Sequence, residues 1–369
     1  MSEDLRRRVL LDQLNGPNRV LESLDEEESE IGDLPTISRK YPYRHVSLNR
    51  PESPDHEDKF GDDSELWRDF FDHNARHVID KNNISINLYY KLPNNLESPS
   101  IPLFICHHGA GSSALTFALL AKELYDRLEG KCAILTFDAR GHGKTRPLDR
   151  NKKFPFNLDD FISDFVELST WFYNEILTKA IPSEKLSLLL LGHSLGGSIC
   201  TFSFTQFSQS IKSKILGVTM LDIVEEAAIS ALDNVQSFLD NTPNVFESYQ
   251  KAIDWYIDNQ LLRQRRSAEV SVPTLFFKTK SDKVVRITDL SMFRTYWSTW
   301  FSGLSSKFVS LPTTKLLILA GNDNLDKELI VGQMQGKYQL VVFQESGHFI
   351  QEDAPSKTAL TLIDFGKEM

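Results

Sequence analysis

Lys185 to Phe207 read KLSLLLLGHSLGGSICTFSFTQF. An apolar run of strand length ends on Gly192, and a stretch long enough for a helix begins at Leu195. Between them, Gly192-His193-Ser194-Leu195-Gly196 matches G-x-S-x-G. In a strand–turn–helix setting this pattern strains the serine backbone and pushes its hydroxyl out beyond the sheet edge. The flanking glycines leave room where side chains would collide with neighbouring backbone. The new helix turns its positive end and its free first N–H groups toward the same spot. Ser194 is therefore the candidate nucleophile, and the Leu195 N–H is placed to donate to an oxyanion.

Outward from this stretch the chain alternates short apolar runs with longer helical ones. Strands are predicted at Ile84–Leu92, Ile101–Gly109, Cys132–Gly141 and Ile215–Val224, and helices at Ala114–Leu128, Leu158–Leu177 and Leu195–Phe207. Such alternation implies βαβ units around a parallel sheet, and central strands covered on both faces read as near-continuous apolar runs. The pattern breaks over residues 225–312, which read as helices with aromatic clusters at Trp255, Tyr256, Tyr296, Trp297, Trp300 and Phe301. It resumes at Lys315–Gly321 and Tyr338–His348 and closes with a helix from Ala354 to Lys367. The fold class is α/β, an α/β-hydrolase fold: a mostly parallel central sheet flanked by helices, with a helical cap insertion. The core falls into residues 61–224 and 313–369, and the cap is 225–312. Residues 1–60, with the acidic run Asp25–Glu28 and the Pro/Asp/Glu-rich Arg50–Asp58, read as a flexible tail.

A chain of 369 residues with 41% hydrophobic content can bury one large core plus an insertion. The net charge of −10 argues against a nucleic-acid partner, which would call for a basic patch. No stretch approaches the roughly 20 apolar residues of a membrane span, and the N-terminus lacks the apolar core of a signal peptide. Cys106, Cys132 and Cys200 sit in apolar stretches without metal-type spacing. They read as reduced core residues, which points to the cytoplasm or nucleus.

A serine hydroxyl needs a base to take its proton. Of the nine histidines, His348 follows the last strand and satisfies the chain order serine, acid, histidine of this fold. His45, His56, His73 and His77 precede the sheet core. His107 and His108 lie at a strand end in a candidate oxyanion loop, His142 follows another strand, and His193 points away from Ser194. The imidazole in turn needs a carboxylate to fix its tautomer. Asp222 in MLDIVEE and Asp323 in AGNDNLD both follow strands, and Asp323 occupies the commoner location for this fold. Asp326 is a helix N-cap candidate. His108-Gly109-Ala110-Gly111-Ser112 supplies small residues that let backbone approach a substrate, with the Ala110 N–H as second oxyanion donor. Asp138 and Arg140 read as braces beneath the site. Trp297, Trp300 and Phe301 read as packing between cap and sheet rather than as a groove lining. The chemistry calls for no cofactor or metal.

HHGAGSSALTFALLAKEL, FDARGHGKT, GHSLGGSI, MLDIVEEAAISAL, LAGNDNLDKELIVGQMQGKYQ and SGHFIQEDAP together resemble the protein phosphatase methylesterases over roughly residues 35–369. GHSLGG and RGHG are shared widely among α/β-hydrolases, whereas MLDIVEEAA and GQMQGKYQ are far more specific. The resemblance implies removal of the methyl ester from the C-terminal leucine of the type 2A protein phosphatase catalytic subunit, which would be the partner. It implies Ser194 and His348 as catalytic residues, and it places the acid at Asp222 rather than Asp323. The competing readings are a general carboxylesterase or thioesterase with the same triad, and a non-catalytic phosphatase-binding scaffold.

Overall fold

The structure is a computed structural model, and it describes residues 65–149, 151–231, 241–321 and 325–367. The tail expected at residues 1–60 lies outside them. Strands β1 (His73–Ile79), β2 (Ile84–Lys91), β3 (Ile101–His107), β4 (Ala133–Phe137), β5 (Arg146–Pro147), β6 (Leu186–His193) and β7 (Ile215–Leu221) precede the insertion. Within it lie β8 (Val245–Phe246), β9 (Phe276–Lys278) and β10 (Val284–Arg286), and after it β11 (Thr314–Ala320) and β12 (Gln339–Phe343).

The main sheet runs β1-β2-β4-β3-β6-β7-β11-β12, with β5 paired to β2. Every pair from β4 to β12 is parallel, while β1–β2 and β2–β4 are antiparallel. Strand β1 was not expected. Its HNARHVI sequence has polar residues on a largely exposed edge, so the apolar run that betrays a central strand is absent. His73 and His77 are therefore strand residues, their rings stacked on Tyr90 and Trp171.

Both faces of the sheet are buried. Along β6, Leu188 and Leu190 join one apolar core and Leu189 and Leu191 the other, as the two-residue period of a strand requires. On the first face, α2 (Leu158–Trp171) inserts Phe161, Phe165 and Leu168 beside α3 (Leu195–Ser203). On the second, α1 (Ala118–Arg127) packs with the C-terminal helix, Pro355–Lys367. Each such fully buried side chain contributes about 1.5–3 kcal/mol.

The segment read as helices between β7 and β11 holds helices and a small antiparallel sheet, β8-β10-β9. Its helices include α4 (Glu225–Ser230), α5 (Tyr249–Asp258), α6 (Arg265–Ser271) and α7 (Trp297–Phe301). The strands of that sheet are two or three residues long, too short to show a period. A core of its own gathers Phe246, Trp255, Tyr256, Phe276 and Val284. After β11, α8 (Lys327–Met334) starts at Asp326, whose carboxylate caps the Leu329 N–H at 3.0 Å. Helices α9 (Ile350–Asp353) and α10 (Pro355–Lys367) end the fold. No described helix is long and apolar enough to cross a membrane.

Candidate active site

Strand β6 ends at His193, and Ser194 turns the chain with φ 52° and ψ −120°. That conformation is strained for any residue with a Cβ. It is enforced by the neighbours. A Cβ on Gly192 would lie 2.1 Å from the Gly196 carbonyl oxygen, and one on Gly196 would lie 2.0 Å from that of His107. The turn is pinned by Ser194 N–H donating to the Leu221 carbonyl at 3.0 Å and by Gly197 N–H donating to the Ser194 carbonyl at 2.8 Å. The Ser194 residue is 8% exposed.

Pairing of His193 with Leu221 across β6 and β7 sets Ser194 beside Asp222, the first residue past β7. Asp222 adopts φ 50°, a left-handed conformation that aspartate tolerates better than most. Its N–H donates to Ile318 at 2.8 Å, and its Oδ1 accepts the Ala320 N–H at 2.7 Å, so β11 fixes both ends of the residue. Oδ2 stands 2.8 Å from His348 Nδ1. A carboxylate accepts, so Nδ1 carries a proton, and in the neutral ring the lone pair then falls on Nε2, the tautomer a general base requires. Asp323 lies outside the described residues.

The loop carrying His348 is held from both sides. Asp353 at the end of α9 accepts the Gly347 N–H on one carboxylate oxygen and the Arg263 N–H on the other, each at 2.8 Å. Arg263 also donates to the Glu345 carbonyl at 2.8 Å. The Ser194 hydroxyl makes no hydrogen bond to His348 here; in free enzymes such bonds are often long and tighten only with substrate bound.

The loop after β3 lies directly over the turn, since a Cβ on Gly109 would come 3.0 Å from Ser194 Cβ. Two buried histidines brace it. His108 Nδ1 donates to the Gly109 carbonyl at 2.8 Å and its Nε2 accepts the Ala139 N–H at 3.0 Å. His142 Nδ1 donates to the Arg140 carbonyl at 2.9 Å and its Nε2 accepts the Gly111 N–H at 2.9 Å. Each ring uses one nitrogen as donor and the other as acceptor, so each is neutral. Burial lowers both to about 3. The Ala110 and Leu195 N–H groups, the two expected oxyanion donors, have no hydrogen-bond partner among the described residues.

Asp138 and Arg140 lie beneath. Asp138 accepts from the Ala114 and Lys144 N–H groups and from Asn87, at 2.8–2.9 Å. Arg140 makes a two-pronged bond to buried Asp164 at 2.8 and 2.9 Å.

Sequence reasoning set His193 aside, yet its Nε2 lies 2.8 Å from the His348 carbonyl and its ring centroid 4.6 Å from that of His348. No local pattern signals this contact, because the partner is 155 residues away. Trp300 and Phe301 are fully buried. Trp300 donates to the Phe156 carbonyl at 2.7 Å, and Trp297 to that of Ala228 at 2.9 Å.

Residues 102–355 match the model of the alpha/beta hydrolase fold family. The structure resembles that of E-2-(acetamidomethylene)succinate hydrolase with a TM-score of 0.60 at 16% identity, covering 80% of this chain and 100% of that one. It resembles a thioesterase domain from the curacin biosynthetic pathway with a TM-score of 0.54 at 16% identity, covering 79% and 98%. These likenesses carry the fold alone. Sequence likeness goes further. The chain is 51% identical to protein phosphatase methylesterase 1 of Candida glabrata, over 100% of this chain and 95% of the relative. It is 51% identical to that of Saccharomyces cerevisiae, over 100% and 94%, and 49% identical to that of Kluyveromyces lactis, over 100% and 93%. At that identity and coverage the chain belongs to the protein phosphatase methylesterases, carboxylic-ester hydrolases of the α/β-hydrolase fold.

Proposed function

We propose that the protein removes the methyl ester from the C-terminal leucine of the type 2A protein phosphatase catalytic subunit, through a serine-bound acyl intermediate. The observation that supports the chemistry is the Asp222–His348 pair at 2.8 Å, formed next to the strained Ser194 turn, whose preceding residue His193 lies 2.8 Å from the His348 carbonyl. His348 accepts the Ser194 proton as Oγ attacks the ester carbonyl. The Ala110 and Leu195 N–H groups, unpartnered among the described residues, receive the negative oxygen. Two such donors are worth roughly 3 kcal/mol each in the transition state. The imidazolium returns its proton to the methoxy oxygen, and methanol leaves. His348 then deprotonates a water, which attacks the acyl-serine; the carboxylate departs and Ser194 regains its proton. Three free, buried cysteines support a cytoplasmic or nuclear setting.

The test is incubation with carboxymethylated phosphatase, following loss of the methyl group. The protein should demethylate it, and Ser194→Ala should lower turnover by several orders of magnitude while keeping the fold. Faster turnover of short p-nitrophenyl esters than of the methylated phosphatase would instead point to a general carboxylesterase.

A further inference from the structure

We infer that His193 is a positioning residue for the reaction: its ring N–H holds the backbone carbonyl of His348 and so sets the base against the serine next to it in sequence. The inference rests on the assignment of His348 as base. A carbonyl only accepts, so the proton of the His193 ring is on Nε2, 2.8 Å from the His348 oxygen. The two rings are tilted 55° to one another with centroids 4.6 Å apart, and the Phe349 ring lies 5.0 Å from that of His193.

With the proton on Nε2, Nδ1 is a bare acceptor. It is buried and has no hydrogen-bond partner among the described residues. A Cβ on Gly109 would sit 3.0 Å from it, so the oxyanion loop closes over this atom. An unpaired buried acceptor costs about 1–3 kcal/mol. A phenylalanine would fill the same space without that penalty, so stability alone does not explain a histidine here. The N–H on the opposite edge does: from the serine's own turn it grips the loop of the base. Asp353 and Arg263 hold that loop on flanking residues, but neither reaches the His348 backbone. Burial, and the nearby His348 and His108 rings, keep His193 far below its ordinary titration range. It therefore stays neutral when His348 becomes imidazolium, and its Nε2–H is present throughout the cycle.

The experiment compares His193→Phe, His193→Gln and His193→Asn in the full chain. The glutamine amide nitrogen falls near the Nε2 position and can donate; the asparagine amide stops short of it. Readouts are kcat and KM on carboxymethylated phosphatase and the rate of Ser194 labelling by a fluorophosphonate. Displacements on the ångström scale can cost on the order of 100-fold. Phe and Asn should lower kcat and labelling by about 10- to 100-fold with KM within about twofold, and Gln should restore both to within about threefold of wild type. Phe retaining near-wild-type kcat, or Gln as slow as Phe, overturns the inference. Should the Phe protein fail to fold, the Gln–Asn contrast decides. His348→Ala runs alongside: if it labels like wild type, the assignment of the base itself fails, a result distinct from failure at His193.

Discussion

The strand ends that carry Ser194, Asp222 and the His348 loop differ in construction from the insertion that follows β7. At the strand ends, main chain is the anchor, bonded either to other main chain or to the side chains of Asp222, Asp353, Arg263 and His193. Ser194 is bonded to Leu221, Asp222 to Ile318 and Ala320, and glycines bring main chain within van der Waals contact of main chain. The insertion meets the core largely through side chains: Trp300 on the Phe156 carbonyl, Thr288 on that of Gly141 and Thr274 on Ser113. Backbone ladders tolerate no displacement without losing several bonds together, whereas a side-chain contact is lost singly. Substitutions at the strand ends should therefore act on chemistry by orders of magnitude, and those in the insertion on stability by single hydrogen bonds.

The largest effect expected is at Asp222. Asp222→Asn keeps shape but reverses the polarity offered to His348 Nδ1, so the ring turns to the wrong tautomer; the drop in kcat should be about 10⁴-fold. Asp323→Asn, measured beside it on carboxymethylated phosphatase, should stay within about threefold of wild type, since the Nδ1 position is already filled. A crippled Asp323 variant with an active Asp222 variant would reverse the assignment of the acid.

Next comes Gly196→Ala. The added methyl would stand 2.0 Å from the His107 carbonyl oxygen, backbone that cannot swing aside. The elbow helix would have to lift from β3, and a loss of more than about 4 kcal/mol in stability is expected, diagnostic of a backbone clash. Soluble yield and thermal midpoint check it. Gly303→Ala, outside the elbow, has nothing among the described residues within 4 Å of the new methyl and should suffer only from its positive φ of 78°.

The same contrast governs what could be read in advance. β6 and its serine turn were legible because a buried central strand is apolar along its whole length and the G-x-S-x-G glycines are demanded by contacts within the motif itself. Asp222, Asp323 and His348 were legible as strand-end residues, but pattern alone favoured Asp323 over Asp222. That choice depends on where β11 lies relative to β7, a long-range fact that reached the sequence only through family resemblance. β1 escaped because an edge strand needs no apolar run, and β8–β10 because two- or three-residue strands have no period. The bracing roles of His193, His108 and His142 gave no signal, since each ring acts on a backbone group distant in sequence.

A third test probes the core around the strand ends by pH. Burial raises Glu352, which accepts from Thr116 beneath the oxyanion loop, from an ordinary 4.5 to about 8. The folded state then holds a proton that the unfolded chain has lost, so stability falls as pH rises between 4.5 and 8. Burial lowers His107, His108 and His142 from 6.5 to about 4, 3 and 3. There the unfolded chain binds the extra protons, so stability is fully present above 6.5 and is lost as pH falls below it. Between 6.5 and 8 the Glu352 effect is not opposed by these histidines, and a loss of roughly 2 kcal/mol is expected. Glu352→Gln, which keeps a hydrogen-bonding amide and never ionises, should flatten that limb in urea denaturation and leave the acid limb in place. An unchanged slope above pH 6.5 would show that Glu352 is ionised in the folded protein.

The smallest effect is the most informative about the insertion. Trp297 is partly buried, packs edge-on against Phe301, and gives its indole N–H to the Ala228 carbonyl at 2.9 Å. Trp297→Phe removes that bond and part of the packing, for about 1–2 kcal/mol of stability by chemical denaturation. If the indole only ties α7 to α4, kcat and KM on the methylated phosphatase stay within about twofold of wild type, because no bond to β6, β7 or β11 has been touched. If KM rises several-fold while the loss in stability stays this small, the indole contacts the substrate. The division between strand ends anchored on main chain and an insertion held by side chains would then have to include substrate recognition among the tasks of the insertion.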